Sequence, residues 1–299
     1  MRIFLTGGTG YIGAAALEAL VRGGHQVETL VRNREKAAQV LARGARPVIG
    51  DLSQPASYLP AAGAAEGIVH AGFEYSARGR DIDALAITSL LQAGAGRGRL
   101  LIYTSGVWVL GNTTVPADES APLSPADHVA WRPSHEQLVL GAAAAGFRTV
   151  VVRPGIVYGG ARGIVGELFK DAANGLVRVI GSGENHWPLV HERDLGELYA
   201  RLVAHPEAAG VFHANDEADE RVNELVAAIA SHVPIRPSVR HVPIAEARQK
   251  LGPYADALAL DQIVRSPRAR AIGWHPSLHA VSRNAARLFE EWRTGREAA

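Results

Sequence analysis

The sequence predicts an α/β fold: a doubly wound parallel sheet with a smaller C-terminal α/β unit attached. Three observations predict it. Short apolar runs alternate with helix-patterned stretches through the first half of the chain. The first of those runs enters a glycine-rich turn and then an apolar helix. The chain of 299 residues, 47% hydrophobic and 20% charged, can bury one large core or two modest ones.

The elements follow in order. Arg2-Ile3-Phe4-Leu5-Thr6 reads as a strand, Gly7-Gly8-Thr9-Gly10-Tyr11-Ile12-Gly13 as the turn, and Ala14–Val21 as the helix. Gly7 permits the tight turn, Gly10 lets backbone approach a pyrophosphate, and Gly13 lets the helix pack close to the strand. The free N–H groups and positive dipole end of the helix then favour an anion, so this turn predicts a dinucleotide site. Further buried parallel strands are expected at Gln26–Val31, Arg46–Ile49, Gly67–His70, Leu100–Thr104 and Thr149–Val152. Helices lie between them at Arg34–Arg43, Asp81–Ala93 and Pro133–Ala145, an order that implies right-handed crossovers. The second half is less regular, with helices expected at Ile164–Asn174, Arg193–Val203, Arg221–Ser231, Ile244–Leu251 and Ser277–Trp292.

Composition excludes several functions. A formal net charge of +1 gives no electrostatic case for nucleic acid or an anionic membrane. Without cysteine there are no disulfides, thiolate nucleophiles or zinc–sulfur sites, and the twelve histidines are scattered without metal-ligand spacing, so no metal is expected. No signal peptide and no apolar run long enough to span a bilayer is evident, and a cytoplasmic location is expected.

Four motifs in order carry a resemblance: Gly7-x-x-Gly10-x-x-Gly13, Asp51-Leu52, Arg153-Pro154-Gly155-Ile156-Val157-Tyr158-Gly159 and Val190-His191-Glu192-Arg193-Asp194-Leu195. The chain resembles the extended short-chain dehydrogenase/reductases, the NAD-dependent epimerase/dehydratase group, over nearly its whole length. The resemblance implies a Rossmann domain over 1–157 and about 186–215, and a substrate domain over about 158–185 and 216–299. It also implies a small-molecule substrate in the cleft between them, and a homodimer is compatible with it. His191 and Asp194 are expected to tie the two parts together and start a helix.

For the cofactor, the glycine turn gives Gly7, Thr9, Gly10, Tyr11, Ile12 and Gly13 as binding residues, and the resemblance implies that Asp51 and Leu52 flank the adenine. Ala71, Gly72, Thr104 and Pro154 complete the cofactor-binding set. The second strand ends in Leu30-Val31-Arg32-Asn33-Arg34, with no acidic residue to hold the ribose hydroxyls. Arg32 can instead place its guanidinium fork on a 2′-phosphate and stack on adenine, which favours NADP(H).

Members of this group generally carry a serine or threonine after the fifth strand and a Tyr-x-x-x-Lys pair on the next helix. This chain lacks the pair. After the fifth strand it has Tyr103-Thr104-Ser105-Gly106; the usual hydroxyl position aligns with Gly106, and Ser105 either orients a carbonyl or only ends the strand. The helix stretch His128-Val129-Ala130-Trp131-Arg132-Pro133-Ser134-His135-Glu136 allows two registers. Anchored on Glu136, Arg132 takes the lysine position and His128 the tyrosine position. Anchored on Ser134, His135 and Trp131 take them. The first is preferred because Glu136 also fits the helix face that follows. In it His128 is the proton donor, Arg132 holds the ribose, and Ser105 is the third catalytic candidate.

Tyr75, Trp108, Trp131, Tyr158 and Trp187 fall in or after loops expected at the cleft rim, and suggest an aromatic pocket. The expected activity is NADPH-dependent reduction of a C=O or C=N bond in a small, partly aromatic molecule. Two alternatives remain: a nucleotide-sugar epimerase or dehydratase, with Arg236, Arg240 and Arg248 as candidate contacts, and a catalytically inactive NADP(H)-binding sensor or scaffold.

Overall fold

A computed structural model describes residues 1–94, 98–113 and 115–297. The first half alternates as the apolar runs require: β1 (Arg2–Thr6), α1 (Tyr11–Arg22), β2 (Gln26–Val31), α2 (Arg34–Leu41), β3 (Arg46–Ile49), α3 (Leu59–Ala64), β4 (Gly67–His70), α4 (Gly79–Gly94), β5 (Leu100–Thr104), α5 (Arg132–Gly141) and β6 (Arg148–Pro154). There follow β7 (Ile156–Tyr158), α6 (Gly163–Ala173), β8 (Leu176–Ile180), β9 (His186–Trp187), β10 (Leu189–His191), α7 (Glu192–Ala204) and β11 (Gly210–Ala214). The chain ends with β12 (Glu220–Arg221), α8 (Val222–His232), β13 (Ser238–Val242), α9 (Ile244–Leu251), α10 (Tyr254–Leu258), α11 (Pro267–Ala271) and α12 (Ala285–Glu297).

Seven strands form one parallel sheet in the order β11-β6-β5-β4-β1-β2-β3. The order reverses direction at β1, so the carboxyl ends of β1 and β4 open a crevice where such sheets bind ligands. Apolar clusters cover both faces of the sheet. Ile3, Leu5, Val69 and Ile102 pack with Leu17 and Leu20 of α1 and Leu195 and Leu198 of α7. On the opposite face Phe4, Ile68, Leu101 and Val151 pack with Tyr58, Leu90 and Val139. A further cluster, built on Tyr158, Phe169, Val177, Leu225, Ile229, Leu288 and Trp292, belongs to the later part of the chain.

The chain passes back and forth between these cores. β11 completes the sheet beside β6, while β7 pairs with β10 and β8 with β13 away from it. Two expected elements are shorter than their patterns. The helix over Pro133–Ala145 becomes α5 followed by a single 3₁₀ turn at Ala142–Ala145. The helix expected from Ser277 begins at Ala285, because carboxylates elsewhere take the earlier amides: Asp194 accepts from Leu278 N–H, and Glu220 from Val281 and Ser282.

Candidate functional site

The turn after β1 is a cradle whose shape depends on missing side chains. Gly7 sits at φ +80°, and a Cβ there would lie 2.6 Å from the Ala71 carbonyl oxygen and the Gly72 nitrogen. A Cβ at Gly13 would run into the Gly7 carbonyl oxygen. A Cβ at Gly10 would press on that same oxygen at 3.0 Å, a tight contact but no outright clash, and would meet no other part of the chain. Gly10 N–H donates to Gly7 O (2.7 Å), and no side chain caps α1. The amides of Tyr11, Ile12 and Gly13 are therefore free to bind an anion. These features fit a pyrophosphate. The Tyr11 side chain faces elsewhere, its hydroxyl donating to Gly159 O (2.6 Å), and the Thr9 backbone carbonyl accepts from Arg162.

At the far end of the crevice Arg32 and Arg34 are exposed, and Asn33 caps α2 by accepting from Lys36 N–H (2.9 Å). Arg32 makes no hydrogen bond or ion pair with another described residue. The Asp51 carboxyl is held below the usual carboxylate range, first by the Ser53 hydroxyl, then by the Ser53 amide, with Arg32 and Arg78 adding charge. Leu52 stands 3.3 Å from where a Gly72 Cβ would be, so Asp51, Leu52 and Gly72 border the same crevice.

The catalytic candidates gather at the ends of β5 and α5. The Arg132 guanidinium donates to Thr104 O (3.1 Å) and Tyr103 OH (3.4 Å). It lies 4.5 Å from the Trp131 ring and 5.7 Å from Phe73, which stack on each other. The Thr104 hydroxyl is engaged with Tyr199 OH (2.6 Å), whereas Ser105 Oγ is buried with no partner. His128 is exposed in a 3₁₀ turn before α5, with its ring 5.2 Å from Tyr254 and 6.2 Å from Trp108. Its pKa is lowered by desolvation, then by the charges of Arg132 and Arg80. His135 is buried and bonded to Asp83 Oδ2 (2.7 Å), while Glu136 and Arg153 form a buried ion pair. Pro154 ends β6 beside this pair. His135 therefore faces the core, and Arg132 faces the crevice.

The aromatics near these residues form two contacting groups: Phe73, Tyr75 and Trp131 in one, and Trp108, His128 and Tyr254 in the other. Tyr75 is 95% exposed. Two of the expected rim aromatics are core residues instead. The Tyr158 hydroxyl donates to Asp216 (3.1 Å), and Trp187 Nε1 donates to Leu258 O (3.0 Å). Arg240 and Arg248 are taken up by Glu246 (2.9 Å) and Asp256 (2.6 Å) on the surface. His191 caps α7 and its ring faces Glu291 (3.3 Å), and Asp194 accepts from Ser277 and Leu278. A cavity of about 1080 Å³ lies among α1, α6, α7 and α12, behind the turn, with Tyr11, Glu18, Arg193, Trp274 and Trp292 in its walls.

Sequence reasoning missed the layer beneath the site. Thr6 Oγ1 accepts from Gly72 N–H (3.0 Å) and contacts His70 Nδ1 (2.6 Å). His70 Nε2 lies 3.3 Å from Asp83 Oδ1, and Tyr103 OH donates to Asp83 Oδ2 (2.8 Å). A signal for Asp83 was present: it falls in the apolar stripe Ile82, Ala86, Ile87, Leu90 of α4. Among the described residues no cluster of His, Asp or Glu could hold a metal, and no helix is long and apolar enough to cross a membrane.

The model of the NAD dependent epimerase/dehydratase family matches residues 3–214. An uncharacterized protein of Schizosaccharomyces pombe is 30% identical, covering 93% of this chain and 95% of its own. The 2-alkyl-3-oxoalkanoate reductase of Stenotrophomonas maltophilia is 30% identical over 77% of this chain and 76% of its own. Among solved structures, a double mutant of the dTDP-glucose 4,6-dehydratase of Streptomyces venezuelae, with NAD bound, superposes with a TM-score of 0.84 at 20% identity, over 100% of this chain and 98% of that one.

Proposed function

The chain belongs to the NAD-dependent epimerase/dehydratase family and is an NAD(P)-dependent oxidoreductase of the short-chain type; from that premise we propose that it reduces a C=O or C=N bond of a small, partly aromatic molecule with NADPH. The observation that carries this reading is Arg132, a fixed cation on the Trp131 and Phe73 rings at the carboxyl end of β5, in a helix without the Tyr-x-x-x-Lys pair. Epimerisation and dehydration need repeated, well-timed proton transfers, which a helix lacking that tyrosine serves poorly; a single reduction is more forgiving.

NADPH, when bound, supplies the hydride that reduces the carbonyl or imine carbon. The residues do the rest. The glycine turn and the free amides at the start of α1 hold the pyrophosphate, and Arg32 holds the 2′-phosphate. Arg132 steadies the ribose hydroxyls. The aromatic groups exclude water and orient a flat substrate. Ser105 would donate a hydrogen bond from its unclaimed hydroxyl to the substrate oxygen and keep its proton, and the His128 imidazolium would give that oxygen the one proton the reduction needs. The part built around Tyr158, Phe169 and Trp292, about 158–185 and 216–299, forms the substrate side of the crevice. Of the three arginines that could meet a nucleotide-sugar diphosphate, Arg240 and Arg248 are paired with Glu246 and Asp256, and Arg236 is exposed with no hydrogen-bond or ion-pair partner among the described residues, so the sugar nucleotide stays in the test.

The test is NADPH oxidation across a panel of aromatic and aliphatic ketones, aldehydes and imines, run beside dTDP-glucose. Turnover of aromatic carbonyls or imines with dTDP-glucose untouched is expected. Conversion of the sugar nucleotide alone would overturn the reading.

A further inference from the structure

We propose that Asp83, on α4 and outside the crevice, is a positioning residue that fixes both the β4 loop at Gly72 and the Arg132 guanidinium. It rests on the reading that a dinucleotide occupies the glycine cradle. Asp83 is 3% exposed, and four polar groups on three other elements turn toward it directly or through one neighbour. From β5, the Tyr103 hydroxyl donates to Oδ2 and its oxygen in turn accepts from Arg132. From α5, His135 Nδ1 donates to the same oxygen. From β4, His70 Nε2 faces Oδ1 at ion-pair distance.

The carboxylate also sets the polarity of the chain beyond His70. A neutral imidazole that turns its N–H toward Asp83 presents Nδ1 as an acceptor. The Thr6 proton goes to that Nδ1, which leaves the Thr6 lone pairs for Gly72 N–H. Gly72 packs where a Cβ would touch the Gly7 amide at 3.1 Å, so the same chain presses the β4 loop against the pyrophosphate turn. Burial alone would push the Asp83 carboxyl up; the hydrogen bonds from His135 and Tyr103, with the His70 ring 3.3 Å away, outweigh it and hold the group well below the usual carboxylate range, so it stays an acceptor.

The experiment is a double-mutant cycle read on NADPH binding by protein fluorescence, in variants with native circular dichroism. Asp83→Asn weakens NADPH about tenfold, and Thr6→Val and Tyr103→Phe about threefold each. On the Asp83→Asn background either adds less than about twofold, because its anchor is already gone. In protein without cofactor, hydrogen exchange at the Gly72 amide accelerates in Thr6→Val and Asp83→Asn but not in Tyr103→Phe, a branch-specific pattern that a general loss of stability does not produce. If Asp83→Asn does not fold, His70→Phe replaces it: non-additive with Thr6→Val, additive with Tyr103→Phe. Additive effects throughout, or unchanged exchange at Gly72, overturn the proposal. Wild-type protein that binds neither NADPH nor NADH overturns the cofactor reading instead, and the Gly72 exchange still decides this one.

Discussion

Arg32 directly follows β2 and is exposed, in the place proposed for the 2′-phosphate, and its guanidinium has no hydrogen-bond or ion-pair partner among the described residues. Arg32→Asp should reverse the preference from NADPH to NADH, a change on the order of 1–3 kcal/mol in relative affinity. Equal dissociation constants for the two cofactors in the wild type, measured by calorimetry, would refute this. At Ser105 the sign of the stability change is the informative quantity. Its hydroxyl is buried and unpaired, so Ser105→Ala should stabilise the free protein by about 1 kcal/mol. If the hydroxyl meets the substrate oxygen, kcat/KM should fall about tenfold in the same variant. A stabilised variant with full activity leaves Ser105 with no role in the reaction. His128 makes a third residue-level case. Because desolvation and two arginines lower its pKa, reductive kcat/KM should fall as pH rises through a value below the ordinary 6.5, where the donating imidazolium is lost. His128→Phe should remove that limb and reduce the rate about 10²-fold, whereas a pH profile unchanged in the variant assigns the proton to another group.

At the scale of elements, β1, its turn and α1 were readable because each step has a local cause: an apolar run, glycines where a Cβ cannot fit, and a helix start without a side-chain cap. The five parallel strands that follow were readable for the same reason, and four of them keep their expected bounds. What the sequence could not show depends on distant partners. β11 becomes a strand only by pairing with β6, and α12 starts late only because Asp194 and Glu220 capture the amides before it. The hydrogen-bonded layer around Asp83 joins residues from β1, β4, α4, β5 and α5, and no local pattern orders them. The glycines of the turn should respond differently to substitution. Gly10→Val should keep more stability than Gly13→Val, because its Cβ meets Gly7 O at 3.0 Å without an outright clash, and should lose cofactor binding, because its side chain would enter the space proposed for the pyrophosphate. Gly13→Val should fail to fold or lose several kcal/mol, because its side chain meets the Gly7 carbonyl. Thermal melts and cofactor titrations on both variants check this; a Gly10→Val protein that binds normally would leave the turn with a structural role only.

Across the whole molecule, the sheet and the later part of the chain are joined at β11 and the segment after it, where two buried groups titrate in opposite senses. His213 donates through Nδ1 to Arg265 O (3.1 Å), and burial, then the charge of Arg153, pushes its pKa down to about 4. Asp216 accepts from Tyr158 and Ala280 (both 3.1 Å), and burial pushes its pKa up to about 6. As pH falls from 6.5 to 4 the unfolded chain takes a proton at His213 that the folded chain refuses, so stability falls by up to roughly 3 kcal/mol. As pH falls from 6 toward 4 the folded chain takes a proton at Asp216 before the unfolded chain does, so stability rises by up to roughly 3 kcal/mol. The two effects share one window and nearly cancel, which leaves the join insensitive to mild acid. Separating them should expose each slope. Between pH 6.5 and 4.5, His213→Asn should gain stability relative to wild type as the pH drops, and Asp216→Asn should lose it, both read from urea midpoints at fixed temperature. Each variant is compared with wild type at every pH, so carboxylates such as Glu291, held down to about 2 by His191, contribute equally and drop out. Midpoints of the two variants that run parallel to wild type across this range would show that neither buried group is coupled to folding.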